Sequence, residues 1–194
     1  MARYYSIVVT ILTLFICSCA HQLILEPHKT SAVLQSNIPK NSNFFIDEFQ
    51  YTRPKNHRIG VVHSYSGDFL SDIICNSDFN DWASEELVVF LKRHNCKSTS
   101  KATADYLFDG KISEIKVGKY NDFLEKPSYK AKIILQVTIK NLKNNVVIFN
   151  NKIEASFSAG LDNVVESSEQ DSKMLNYCLS RAIQIAFERI SVSK

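Results

Sequence analysis

The sequence predicts an α+β fold, a mostly antiparallel sheet of four to six strands with two helices packed on one face. Three observations predict it. Every second residue from Tyr129 to Ile139 is apolar, residues 147–157 repeat the period after a short Asn-rich link, and residues 81–94 and 170–190 carry apolar side chains at helical spacing. Period-two strands with a polar face belong to an antiparallel sheet wet on one side, so the helices are expected over the other.

Taken in order, residues 20–42 read as a tether. Pro27, Pro39 and clusters of Ser and Asn interrupt any period, although Leu23-Ile24-Leu25 is a candidate for a short strand. Residues 44–49 look extended, Arg53-Pro54-Lys55-Asn56 is a turn, and Arg58-Ile59-Gly60-Val61-Val62 is a short strand. Residues 64–67 are loop. The first helix, 81–94, has Asn80 and Asp81 as N-cap candidates, Glu85 and Glu86 early and Lys92, Arg93 and His94 late, as the helix dipole favours. Ala83, Leu87, Phe90 and Leu91 form its apolar face, and Asn95 is a stop.

Tyr106, Phe108 and Ile112 share one phase, which then moves to Ile115 and Val117 and places a bulge at Ser113 or Glu114. Tyr129, Ala131, Ile133, Leu135, Val137 and Ile139 make the strongest strand, and Val147, Phe149, Ile153, Ala155 and Phe157 its hairpin partner. Lys130, Lys132, Gln136, Lys140, Lys152 and Glu154 fall on the opposite face. In the last helix Leu175, Leu179, Ala182, Ala186 and Ile190 form the buried stripe, with Lys173, Asn176, Ser180, Gln184 and Glu188 opposite. The small Ala182 and Ala186 allow close approach to the sheet.

Residues 7–17 form an apolar run of 11 residues after Arg3. That suits a signal-peptide core and falls short of the roughly 18 residues that span a bilayer. Two processing patterns overlap beyond it. Ser18-Cys19-Ala20 fits an ordinary secretory cleavage that frees a soluble chain from His21. Ile16-Cys17-Ser18-Cys19 resembles a bacterial lipobox, with Cys17 where Ala, Ser or Thr is more usual, and implies acylation of Cys19. Several acyl chains, at about 0.8 kcal/mol per buried methylene, hold a protein at a membrane. We adopt the lipobox reading, giving a signal peptide over 1–18, an anchor and tether over 19–42 and one domain over 43–194. Ala20 after the cysteine then implies the outer membrane, facing the periplasm; a soluble periplasmic or secreted protein is the alternative.

Removal of residues 1–18 from the 194 leaves 176, enough for one domain with its own core. Arg3 goes too, leaving 22 basic against 20 acidic side chains, too balanced a charge for nucleic-acid binding. Cys75, Cys96 and Cys178 remain. Cys75 and Cys96 flank the first helix and are the candidate disulfide pair, with separate buried thiols as the alternative. The geometry is tight, because six residues must lead back along a helix about 20 Å long. Cys178 sits in the apolar stripe as a small core residue.

Chemistry is sparse. The five histidines show no metal-site spacing, and no nucleophile elbow, phosphate loop or dinucleotide fingerprint is present, so neither a metal nor another cofactor is expected. His63, Asp68 and Cys75 lie near one loop, but nearness in the chain is not geometry, and an ordinary polar loop is the simpler reading. Lys130, Lys132 and Lys140 are a candidate stripe for an anionic lipid or glycan; a plain solvated sheet face is the simpler reading.

The order of lipobox, short strand Ile59-Gly60-Val61-Val62, helix with Asp81-Trp82-Ala83-Ser84-Glu85-Glu86-Leu87, strand Ala104-Asp105-Tyr106-Leu107-Phe108-Asp109-Gly110-Lys111-Ile112, hairpin and terminal helix resembles small outer-membrane lipoproteins of the YajG and PqiC kind. The Ala-Asp-Tyr-Leu-x-x-Gly-x-Ile stretch carries most of it. The resemblance, over about residues 57–190, implies a non-enzymatic auxiliary component of ABC-type envelope transport, with the membrane and an envelope protein as partners. A binding module for an anionic lipid or glycan is the second expectation, and a periplasmic enzyme the third.

Overall fold

The computed structural model describes residues 21–23, 25, 40–51, 57–63, 68–120, 128–160 and 168–190. Its elements run β1 His21–Leu23, β2 Asn43–Ile46, β3 Gln50–Tyr51, β4 Arg58–His63, β5 Phe69–Cys75, α1 Phe79–Arg93, β6 Lys97–Ser98, β7 Tyr106–Tyr120, β8 Ser128–Asn141, β9 Val146–Gly160 and α2 Ser168–Glu188.

The long strand β7 is the axis of the sheet. Along one flank it pairs antiparallel with β8, and β8 with β9. Along the other flank three short strands take turns, all parallel to it: β2 opposite Tyr106, β3 opposite Lys111 and β4 opposite Val117. Outside them lie β6 against β2, and β5 then β1 against β4. The sheet therefore has nine strands among the described residues and is mixed, with parallel β1–β5, β2–β6, β2–β7, β3–β7 and β4–β7 pairings. The α+β class holds, while the expected four to six mostly antiparallel strands do not. Alternation reports which side chains face a core and is silent on which strand lies alongside, and segments of two to four residues are too short to show a period.

Ile112 is followed by a shift of register to Glu114, so Ser113 is the bulged residue and its hydroxyl donates to the Ile134 carbonyl at 3.2 Å. The phase change expected there is real: Phe108 and Ile112 before the bulge, and Ile115 and Val117 after it, are all buried. The β8–β9 link is held by Asn141, whose side chain accepts from Lys143 N–H at 2.9 Å, and ends on Asn145 at a φ of 62° that suits Asn.

Helix α1 starts two residues before its expected position. Asp78 is the N-cap, its carboxylate accepting from Asn80 N–H at 2.8 Å and Asp81 N–H at 3.3 Å. It stops as expected, with Asn95 left-handed and Cys96 N–H closing on the Leu91 carbonyl at 2.9 Å. Both helices cover one face of the sheet. The Phe187 ring of α2 meets Phe44 of β2 at 5.6 Å, Phe108 of β7 at 5.8 Å and Phe90 of α1 at 4.8 Å. Helix α2 lies close to β8, where Cys178 Sγ donates to the Ala131 carbonyl at 3.6 Å, and Ala182 and Ala186 are buried.

The helices run in the same direction side by side. Trp82 Nε1–H donates to Asn176 Oδ1 at 2.7 Å, and one turn on Ser180 Oγ donates to Glu86. This is why Asn176, expected on the wet face of α2, is buried. Cys75, Cys96 and Cys178 are buried and none is in a disulfide, so the candidate Cys75–Cys96 pair is not formed here. Cys75 ends β5, while Cys96 follows α1 and packs beside β6, leaving each in its own part of the core. Strand β1 pairs with β5, and Leu25 just beyond is buried, its N–H donating to Ser77 Oγ at 3.1 Å.

Candidate functional site

Tyr129, Ala131, Ile133, Leu135, Val137 and Ile139 of β8 are buried toward the helices, so Lys130, Lys132, Gln136, Thr138 and Lys140 project from the outer face. Cross-strand pairing decides which of them meet. Lys130 lies opposite Ser158, Lys132 opposite both Lys116 and Ser156, and Lys140 opposite Leu107 and Val147. Eight residues of strand, about 26 Å, separate Lys132 from Lys140. The structure therefore brings Lys130 and Lys132 together and leaves Lys140 at the far end of the strand.

Lys116, Lys130, Lys132, Ser156 and Ser158 surround a depression of about 270 Å³, with Ala131 and Phe157 lining it between them. Two carboxylates stand among the ammonium groups. Glu114 is 2.8 Å from Lys116 Nζ and 3.9 Å from Lys132 Nζ, and Glu154 is 3.3 Å from Lys132 Nζ. Lys116 above all, with Lys132 and Lys152 farther off, holds the Glu114 carboxyl below its ordinary range. The ammonium groups of Lys116, Lys130 and Lys132 thus meet two carboxylates, and the local balance is basic. Such a patch, with two hydroxyl donors, can take a phosphate or carboxylate group. It has no soft or imidazole ligand for a transition metal, and no group of three or more His, Cys, Asp or Glu able to hold a metal occurs among the described residues.

Lys116, Ser156 and Ser158 were not singled out from the sequence. The signal for the serines is incomplete, because a link at residues 141–145 leads to residue 156 or 157 opposite 130, and the pairing of 130 with 158 and 132 with 156 needs the register shift between Ile139 and Lys140. Lys116 needed the pairing of β7 with β8 and its bulge. His63 and Cys75 do not converge: His63 pairs with Phe69 at one end of β5, and Cys75 lies at the other, about 20 Å away. Cys19 lies outside the described residues.

A second feature is the edge of the sheet. Among the described residues β9 pairs on one side only, over 15 residues or about 50 Å of strand. Lys152 and Glu154 are exposed at its middle, as on edges that avoid indiscriminate pairing.

No family model matches the sequence, and no curated protein matches it. Among solved structures, the chain is similar to protein XCC0632 from Xanthomonas campestris, of family DUF330, with a TM-score of 0.54, 9% identity and coverage of 87% of this chain and 92% of that one. Looser likenesses are to the hypothetical protein CT253 from Chlamydia trachomatis (TM-score 0.45, 11% identity, 76% and 91% covered) and a minor lipoprotein from Acinetobacter baumannii (TM-score 0.43, 10% identity, 74% and 87% covered). The first establishes a shared fold, and the other two carry no argument.

Proposed function

We propose that this chain is a lipid-anchored, non-enzymatic protein of the cell envelope that docks a partner in envelope transport or outer-membrane assembly, in the manner of the YajG and PqiC lipoproteins it resembles in sequence order. The observation that carries the reading is β9, a long strand with one side unpaired among the described residues. Such an edge extends a partner's sheet by main-chain hydrogen bonds, and its side chains set the choice of partner. The overlap of a signal-peptide core with Ile16-Cys17-Ser18-Cys19 supports attachment at Cys19, and no helix among the described residues is long and apolar enough to cross a membrane. The test is photo-crosslinking in intact cells from Asn151, Ser156 and Ser158 of β9. A discrete envelope-protein adduct from β9, missing from Lys97 of β6, is the expected result; no adduct from β9 removes the docking role.

The depression favours a second reading, a module that binds an anionic lipid or glycan head group. Binding of phosphatidylglycerol vesicles should then weaken with salt and with Lys130→Glu or Lys132→Glu.

A further inference from the structure

We propose that the open edge of β9 pairs with β9 of a second copy of this chain, antiparallel about a two-fold axis at Ile153. The inference rests on the reading above that β9 is a docking edge, and it names what docks there. Among the described residues β9 pairs with β8 alone, and residues 150–158 keep one unbroken register with β8, from Thr138 to Lys130. A regular strand of this kind can accept another along its free side.

Charge selects the register. Lys152 and Glu154 are the only charged residues between Val146 and Gly160. Two identical strands related by an axis normal to the sheet run antiparallel, and matching like face with like face puts the axis through one residue. With the axis at Lys152 or at Glu154 a charge meets its own kind, and like charges directly opposite destabilise a sheet. With the axis at Asn151 or Ala155 both charges meet uncharged residues. At Ile153, Lys152 of each copy faces Glu154 of the other, so two residues make two ion pairs. Both are exposed, and Glu154, already 3.3 Å from Lys132, keeps 57% of its side chain open to a second cation.

The same register suits the remaining side chains. On the outer face Asn150 meets Ser156. On the helix face Ile153 meets Ile153, and Phe149 meets Phe157 on either side of the axis, an aromatic cross-strand pair. Phe157 already packs edge to face on Tyr177 of α2, with ring centroids 5.5 Å apart, and Tyr177 is 46% exposed. Val146, Val147 and Tyr177 are three of the five exposed large apolar side chains among the described residues, so apolar surface gathers at this edge. Residues 149–157 give about 30 Å of facing strand. Because the axis reverses the second copy, the two β1 strands start at opposite ends of the joined sheet, and one bilayer holds both Cys19 anchors when the strands lie along it.

The test is native mass spectrometry of the full chain released from detergent micelles, with Trp82 emission as the check on folding. The wild type should be a dimer. Lys152→Glu sets Glu against Glu beside the axis and Glu154→Lys sets Lys against Lys, so each variant alone should lose about tenfold or more in dimer affinity. Mixed, with one of them carrying heavy nitrogen, the two are complementary at both pairs and should form a heterodimer as tight as the wild type. A monomeric wild type, or variants that dimerise as tightly alone as mixed, overturns the proposal. Asn150→Cys with Ser156→Cys in one chain reads the register without changing charge. The two positions are about 20 Å apart along their own strand and cannot bridge within it, so oxidation should link two chains, and Asn150→Cys with Ser158→Cys should not; equal linking by both pairs overturns the register. In cells, a β9 crosslink to a different protein with no adduct between copies defeats this proposal and keeps the docking reading, whereas no adduct of any kind defeats both.

Discussion

Asp105 shows how much one short side chain can hold in this fold. Its carboxylate accepts from Asn43 N–H at 2.9 Å and meets Lys143 Nζ at 2.7 Å, while its backbone bonds to the Asn43 carbonyl and Leu142 N–H, each at 2.8 Å. It thereby joins the starts of β2 and β7 to the β8–β9 turn. The Lys143 ammonium, then the Asn43 N–H, lower the Asp105 pKa. A carboxylate with a depressed folded pKa adds stability above its unfolded value, and that stability is lost as pH falls through the folded pKa. Asp105→Asn should cost about 1 kcal/mol near neutral pH, since the exposed Lys143 partner is screened. It should also flatten the acid limb of a urea-denaturation series against pH. An unchanged acid limb would show that Asp105 does not carry it.

Cys178 works in the opposite sense. Burial pushes its thiol from an ordinary value near 9 up to about 12. The unfolded chain loses that proton first, so stability should fall as pH rises between those values. Cys178→Ser or Cys178→Ala should reduce the alkaline loss. In the folded wild type Cys178 should resist iodoacetamide at pH 8 and react only on unfolding, as peptide mass mapping would show.

At the scale of elements, the two helices are clasped by Trp82 with Asn176 and by Glu86 with Ser180, one turn apart on each helix. Asn176→Leu leaves the buried Trp82 N–H without that acceptor and should destabilise the fold by about 1–3 kcal/mol. Trp82 is the chain's single tryptophan, so the change should also appear in its emission spectrum. An unaltered spectrum and denaturation midpoint would sink the clasp. The helices, β7 with its bulge, the β8–β9 hairpin and its Asn turn were legible in the sequence, because each spans enough residues for a period or a cap to show. Strand β5 was not. Phe69, Leu70, Ile73, Ile74 and Cys75 put apolar side chains on both faces, because the strand ends in an exposed tip and is paired on both sides by β1 and β4. The buried side of Asn176 was likewise hidden, since helical spacing shows a face and not the helix beside it.

Glycine sets another limit on elements that no hydropathy pattern reveals. Gly110 of β7 lies under the Phe49 ring, where an added Cβ would overlap the ring carbons. Gly110→Val should displace the fully buried Phe49 and cost about 1–3 kcal/mol in thermal or urea unfolding. Wild-type stability in that variant would mean that the ring can shift freely.

Across the whole molecule, the sheet has two different ends and one long edge. The lysine depression lies toward the end of the sheet from which β1 starts, and β9 offers its open side along its length. Of the candidate lysines, Lys130 and Lys132 belong to this arrangement and Lys140 does not, a distinction made by strand register and absent from composition. Under the proposed reading, an anchor at Cys19 would place that end nearest a membrane and leave the β9 edge to meet a partner. The most direct test is metabolic labelling with a fatty-acid analogue, comparing the full chain with Cys19→Ser. The account predicts a labelled chain whose mature N-terminus is Cys19, with the label lost in Cys19→Ser; a label that persists in Cys19→Ser, or an unmodified chain beginning at His21, would contradict it.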